Sequence, residues 1–215
     1  MNIEAVIFDF GGVLYEIDYH APVQAFEKLG CENFDSLYSK AQQSEIFDLL
    51  ETGKVDGEYF YDYMQTLIPH ATRSELEHAW NCILLKFLPE RMPFIHWLKK
   101  RGIRTFLFSN TNAIHSAIFE QDIESVYGLQ NFYAAFEKVY YSQNLGYRKP
   151  HAESFQALCL ANKLNIEKTI FIDDSPQHVL GACEAGLIGI LHDPKEMPEK
   201  TLQAYFPNYL IDCEK

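Results

Sequence analysis

A chain of 215 residues, 47% of them hydrophobic, is long enough to bury a full core and too apolar to remain disordered. Its formal net charge of −12 argues against a nucleic-acid partner, because a phosphate backbone demands clustered Lys and Arg. Small anionic substrates stay open where a metal ion or a local Lys offsets that field.

Ala5-Val6-Ile7-Phe8 is apolar without polar alternation, which predicts a strand covered on both faces in a parallel sheet. It runs into Asp9-Phe10-Gly11-Gly12-Val13-Leu14, so Asp9 is expected at the carboxyl end of a central strand, where open α/β sheets bind ligands. Gly11 and Gly12 let the backbone turn and approach a ligand closely. The plainer alternative for Asp9 is a turn residue, since Asp near Gly-Gly also makes a good strand exit.

From about Glu16 to Phe87 the apolar spacing is helical and predicts an inserted bundle of four or five short helices. Pro22 opens one carrying Val23, Phe26 and Leu29, stopped at Gly30. Asp35 and Ser36 cap the next, and Ser44 starts another that ends near Gly53. Asp56-Gly57 precedes Tyr59, Phe60, Tyr63, Met64 and Leu67, and Thr72-Arg73-Ser74-Glu75 is a capping box before Leu76, Trp80, Ile83 and Leu84. The stripe Tyr59, Phe60, Tyr61, Tyr63 reads as bundle core rather than pocket roof. Glu45, Asp48, Glu51, Asp56, Glu58 and Asp62 read as a solvated acidic face, of which one or two could look into a cleft.

From Pro89 helix and strand alternate. A helix over residues 94–100 ends at Gly102, and a strand over residues 104–108 runs into Ser109-Asn110-Thr111. Residues 139–142 form a third strand, and Pro150 starts a helix after Gly146-Tyr147-Arg148-Lys149. Residues 169–172 deliver Asp173-Asp174, a helix runs from Pro176 to Gly186, and residues 188–191 are a last strand. The tail after Pro194 fits no clear element. Such alternation predicts a doubly wound parallel sheet. Cys31, Cys82, Cys159, Cys183 and Cys213 are odd in number and lack CxxC spacing, so a disulfide framework or zinc site is not indicated. The first strand leaves no room for a leader, and no apolar run approaches the ~20 residues of a membrane span. A soluble, cytoplasmic protein is expected, a monomer or weak homodimer without membrane or nucleic-acid partners.

The strand ends present Asp9, Ser109-Asn110, a nearby Lys149 and Asp173-Asp174. Asp9 and Asp174 offer hard oxygen ligands, and the Gly11 carbonyl could add a third, a set suited to Mg²⁺. Ser109 and the amides starting the following helix can bind phosphate oxygens, with Lys149 neutralising them.

On these residues the chain resembles the haloacid dehalogenase (HAD) superfamily. Phe8-Asp9 with Gly11-Gly12-Val13-Leu14 resembles its first motif, Leu107-Phe108-Ser109-Asn110 the second, Arg148-Lys149-Pro150 the third, and Phe171-Ile172-Asp173-Asp174 the fourth. The resemblance implies an α/β fold: a HAD-like, Rossmann-like doubly wound parallel core from residues 1–15 and 88–215, with residues 16–87 as an inserted α-helical cap. Ser109-Asn110-Thr111-Asn112 and Ser142-Gln143-Asn144-Leu145-Gly146 with Arg148-Lys149-Pro150 are similar to a branch of bacterial α-D-glucose 1-phosphate phosphatases. That similarity implies a Mg²⁺-dependent phosphomonoesterase acting on a small phosphorylated metabolite such as a sugar phosphate. Asp9 would form an aspartyl-phosphate, Mg²⁺ would bridge Asp9, the Gly11 carbonyl and Asp174, and Ser109 and Lys149 would hold the phosphoryl group beside Gly11, Gly12 and Asn110.

Two positions depart from the family pattern. Gly11 stands where typical family phosphatases carry a second Asp for acid–base catalysis, a role worth about 10²–10⁴ in rate. Asp18 is the candidate stand-in, its alternative a helix cap. His178 stands one turn after Asp174 where relatives carry Asp or Asn, and either supports the metal's waters, with Asp173, or is a merely exposed helix residue. The competing functions are a metal-free 2-haloacid dehalogenase, against which the paired Asp173-Asp174 argues, and a non-catalytic binding protein on the same fold.

Overall fold

The computed structural model describes residues 2–32, 34–38 and 45–209. Its strands are β1 (Ala5–Phe8), β2 (Tyr15–Ile17), β3 (Leu84–Phe87), β4 (Arg104–Ser109), β5 (Lys138–Tyr141), β6 (Thr169–Asp173) and β7 (Ile188–Leu191). Five of them form one parallel sheet in the order β5-β4-β1-β6-β7. β1 lies at the centre, and Phe8 is in register with Leu107 on one side and Ile172 on the other. All four β1 residues are buried because alternate side chains enter different cores. Val6 and Phe8 pack in a cluster with Leu107, Ile170 and Phe119, while Ala5 and Ile7 pack with Phe106, Phe155 and Ala182.

The inserted helices are α1 (His20–Lys28), α2 (Phe34–Leu37), α3 (Glu45–Glu51), α4 (Gly57–Leu67) and α5 (Arg73–Asn81). They build a separate aromatic core in which Phe26 stacks on Phe34 at 4.3 Å and Trp80 meets Tyr38, Phe47 and Phe60. The expected caps at Asp56 and Thr72–Glu75 are present, the second as a full capping box. The tyrosine stripe divides: Phe60 and Tyr61 are core, whereas Tyr59 is 56% and Tyr63 36% exposed. A helical face is too narrow to bury four residues so closely spaced.

Helical spacing does not hold to both ends of the insertion. β2 and β3 pair antiparallel, Tyr15 opposite Phe87 and Ile17 opposite Leu84. The two chain passages between sheet and helices run side by side there, and pairing satisfies backbone groups that separate helix ends would leave open. α1 starts at His20, two residues before Pro22, and Asp35 and Ser36 lie inside α2 rather than before it. Ser44 and Cys213 lie outside the described residues; Cys31, Cys82, Cys159 and Cys183 are free thiols.

The remaining helices are α6 (Met92–Lys100), α7 (Ala113–Val126), α8 (Leu129–Ala134), α9 (Ser142–Leu145), α10 (Ala152–Ala161), α11 (Pro176–Glu184) and α12 (Pro198–Thr201). α10 begins two residues after Pro150, whereas Pro176 takes the first position of α11 as expected. The tail after Pro194 belongs to the core: Phe206 and Tyr209 close edge-on against Phe94, and Tyr209 also against Trp97. Among the described residues no helix is long and apolar enough to cross a membrane.

Arg91, just after β3, ties the segments around the β1 exit together. Its buried guanidinium donates to the carbonyls of Gly12 at 3.2 Å, Val13 at 2.6 Å and Pro194 at 2.5 Å. Arg91→Ala would leave three carbonyls without that donor, so a loss of about 2–4 kcal/mol is expected in urea unfolding. A midpoint within error of the parent would show that water replaces the guanidinium.

Candidate active site

The carboxyl end of the sheet is where β1, β4 and β6 bring Asp9, Ser109 and Asp173 together. Asp9 follows β1 directly, its backbone N–H donating to the Ile172 carbonyl at 2.9 Å. Lys149 reaches the same point fully buried, and its Nζ donates to Asp9 Oδ1 at 2.6 Å and Asp173 Oδ2 at 2.7 Å. The Lys149 ammonium lies within 5.5 Å of the Phe108 ring and 5.2 Å of the Phe171 ring, which screen it from water.

The two carboxylates do not share that lysine equally. Asp173 also accepts from the Ser175 N–H at 2.7 Å and from His178 Nδ1 at 3.0 Å. Burial alone would raise its pKa, but Lys149 and His178 outweigh burial and hold Asp173 below the usual carboxylate range. Asp9 goes the other way. Burial, then the charges of Asp173 and Asp174, push its carboxyl well above the ordinary value, and Lys149 offsets only part. Burial disfavours charge on Lys149 too, yet the two aspartates raise its pKa, so it remains an ammonium.

His178 is buried on Asp173, not exposed on its helix. A carboxylate only accepts, so Nδ1 carries the proton in this pair. Burial lowers the His178 pKa despite its partner, which keeps the ring neutral near pH 7.

Gly12 shows how closely Asp174 approaches the β1 exit. Its φ is +74°, and a Cβ there would fall 2.5 Å from both Cγ and Oδ2 of Asp174. Only glycine allows that contact.

Other expectations are redistributed. The Asn110 side chain is engaged with the Lys149 backbone, accepting its N–H at 2.9 Å and donating to its carbonyl at 2.9 Å, and so positions the lysine. Two amides of the first turn of α7 are also engaged, Asn112 Oδ1 accepting from Ile114 and His115, and just before the helix Ser142 Oγ accepts from Thr111. Ser109 is buried in the pocket wall, its Oγ making a long 3.4 Å contact to the Asn110 carbonyl. Asp18 accepts the His20 N–H at 2.8 Å just ahead of α1, whose N-cap position is Tyr19, and Tyr19 also lines the pocket.

The pocket over Asp9 lies between sheet and inserted helices, and several of its lining residues were not singled out as site residues from sequence: Tyr19, Tyr38, Glu51, His115 and Arg148. Arg148 pairs with Asp48 at 2.8 Å and Glu51 at 3.0 Å, and of the expected solvated acidic face Glu51 turns inward while Asp48 stays half-exposed. His115 stacks on Trp80 and faces its carbonyl at 3.2 Å, with burial holding the pKa down to about 4. Gly53 meets the Gln143 backbone, where a Cβ would lie 2.3 Å from the carbonyl oxygen, and this seats α3 on the sheet domain.

Fold and site together define a Rossmann-like α/β enzyme in which a buried carboxylate–lysine centre is roofed by inserted helices. The chain belongs to the haloacid dehalogenase-like hydrolases, whose family model matches residues 3–186. It is 31% identical over 179 residues to a D-ribitol-5-phosphate phosphatase of Bacteroides thetaiotaomicron, covering 82% of this chain and 85% of that one. A HAD family enzyme of the same organism, solved with magnesium and inorganic phosphate, superposes with a TM-score of 0.77 at 26% identity, over 93% of this chain and 98% of that one. A HAD-like hydrolase of Porphyromonas gingivalis superposes with a TM-score of 0.82 at 24% identity, over 96% and 98%.

Asp9, Asp173 and His178 each place a ligand atom within 4.8 Å of the others, but Lys149 and His178 already engage Asp173. Asp9 and Asp174 supply hard carboxylate oxygens at adjacent strand ends, and burial together with the charges of Asp173 and Asp174 raises Asp9, a crowding of negative charge that a divalent cation relieves. The residues fit Mg²⁺ better than a softer, His-seeking metal.

Proposed function

We propose that this protein is a Mg²⁺-dependent phosphomonoesterase for a small phosphorylated sugar or polyol, with residues 16–87 as a cap over a core of residues 1–15 and 88–215. The observation that carries the reading is Asp9 bound to Lys149 and crowded by Asp173 and Asp174. Three carboxylates around one ammonium suit a centre that receives a divalent cation and a phosphate. A metal-free displacement of halide has no use for the surplus negative charge. The named activity of the ribitol-phosphate relative supports the same class of substrate.

Asp9 attacks phosphorus and the alkoxide departs, leaving an aspartyl-phosphate that water hydrolyses. Lys149 holds Asp9 in place and balances charge on the phosphoryl group, while Asn110 and His178 hold Lys149 and Asp173. Bound at Asp9, Asp174 and the Gly11 carbonyl, Mg²⁺ would screen repulsion between carboxylate and phosphate. Gly11 has no side chain to protonate the leaving oxygen, so turnover is expected to be slow unless the substrate's own hydroxyls assist.

The test is phosphate release from a panel of small phosphomonoesters with Mg²⁺ or with EDTA. Turnover with Mg²⁺ that falls at least about 100-fold in EDTA is expected. Equal turnover under both conditions, or turnover only of 2-haloacids, would overturn the reading.

A further inference from the structure

The pocket over Asp9 is also lined by Tyr19, Tyr38, Glu51 and Arg148, side chains to which the proposed phosphoryl transfer gives no role. Glu51 comes from α3 of the inserted bundle and is only 7% exposed; Arg148 comes from the sheet domain, one residue before Lys149. Arg148 is clasped by Glu51 at 3.0 Å and Asp48 at 2.8 Å, and its Nε is buried without a hydrogen-bond partner among the described residues. One guanidinium with two carboxylates leaves the group with a net charge of −1. Both basic side chains of the lining are therefore already engaged, Lys149 by Asp9 and Asp173 and Arg148 by Asp48 and Glu51.

The rest of the lining adds no positive charge. His115 and His178 are held neutral by burial. Tyr19 and Tyr38 have their phenols pushed up, by burial first and then by neighbouring negative or phenolic groups, so both stay protonated and act as neutral donors or acceptors. A carboxylate accepts from hydroxyls and phenols donate to them, so the wall suits an alcohol-rich chain. A second phosphate or a carboxylate on the substrate would meet Glu51 with no unengaged cation among the described lining residues, a like-charge contact that is strongly unfavourable where water is excluded.

We infer that Glu51, held in the pocket by Arg148, makes this site select phosphomonoesters whose remainder is an uncharged polyhydroxy chain and reject those that carry a second anion. The inference rests on the phosphatase reading and deepens it, since it concerns the far end of the substrate and not the reacting phosphate. It also assigns Glu51 a specificity role that requires the inserted helices, because the carboxylate reaches the pocket only where α3 seats on the sheet domain.

The experiment compares kcat/KM for five- and six-carbon polyol and aldose monophosphates with kcat/KM for phosphoglycolate and sugar bisphosphates, in the parent and in Glu51→Gln. The parent is expected to favour the uncharged class by about 100-fold or more. Glu51→Gln keeps the shape and removes the charge, and is expected to narrow the ratio at least about tenfold, mostly through KM. Competitive inhibition by inorganic phosphate, which occupies only the catalytic end, should be unchanged in the variant, and this separates lost selectivity from a damaged site. The inference is overturned if the parent hydrolyses both classes within about threefold, or if Glu51→Gln leaves the ratio where it was. If the folded parent hydrolyses no phosphomonoester with Mg²⁺, the phosphatase reading itself fails and takes the inference with it.

Discussion

Asp9→Asn is expected to lower phosphate release by roughly 10⁴-fold or more and at the same time to raise the melting temperature of the metal-free protein. The activity loss follows from removing the attacking carboxylate under the proposed mechanism. The stability gain follows from electrostatics. Burial and two neighbouring aspartates push the Asp9 pKa above its unfolded value of about 3.9, so keeping it ionised costs native stability at neutral pH. A carboxyl with a raised folded pKa contributes stability below the unfolded pKa, and that contribution is lost as pH rises through the folded value. The variant's advantage should therefore be largest near pH 7 and vanish below about pH 4. For a chain of this length each kcal/mol corresponds to about 2–4 °C. Thermal unfolding in EDTA at both pH values checks it, and a lower melting temperature for Asp9→Asn at pH 7 would show that the Lys149 bond outweighs the crowding.

Lys149→Met is expected to fail on both counts. It leaves Asp9 and Asp173 buried without their shared ammonium, and removing one member of a buried ion pair costs about 3–5 kcal/mol. Asp173, held below the carboxylate range, contributes stability above about pH 3.9 that is lost as pH falls through its folded value. Lys149, held above its ordinary range, contributes stability below about pH 10.4 that is lost as pH rises through its folded value. The parent should thus show a plateau between these limits. In the variant the carboxylates prefer to be protonated, so its deficit against the parent should be greatest near neutral pH and shrink on acidification. Urea unfolding from pH 4 to pH 8 measures this, and a deficit independent of pH would mean that packing between Phe108 and Phe171, rather than charge, is what Lys149 supplies. Adding Asp9→Asn to Lys149→Met should recover part of the loss, since one of the two stranded charges is then removed.

The cluster at the strand ends was legible in the chain because its carboxylates sit on strong local signals. An apolar strand delivers Asp9, another delivers Asp173 and Asp174, and parallel-sheet topology sends all such ends to one edge. Lys149 lies in a loop, and only the motif around it made it readable. The details that chemistry depends on were less legible. Asn110 and the α7 amides are suited to phosphate by residue type, yet they are engaged by Lys149, Asn112 and Ser142. Asp18 was open between acid and cap, and its bond to His20 puts it just ahead of α1. His178 was open between supporting and exposed, and it is buried against Asp173 rather than exposed.

By itself the sequence determined the doubly wound sheet, the place of Asp9 at its centre and the presence of an inserted helical bundle, because hydrophobic period and strand-end residues are local properties of the chain. Tertiary structure decided what pairs with what. The β2–β3 ribbon joins segments some seventy residues apart, Arg91 binds the β1 exit from the far side of the insertion, and Glu51 leaves a surface-like acidic run to meet Arg148, 97 positions away by subtraction of their numbers. No period or composition records such partners. Whether a charged side chain faces water or a pocket depends on which opposite charge the folded chain brings within about 3 Å of it, and that distance exists only once the bundle is seated on the sheet.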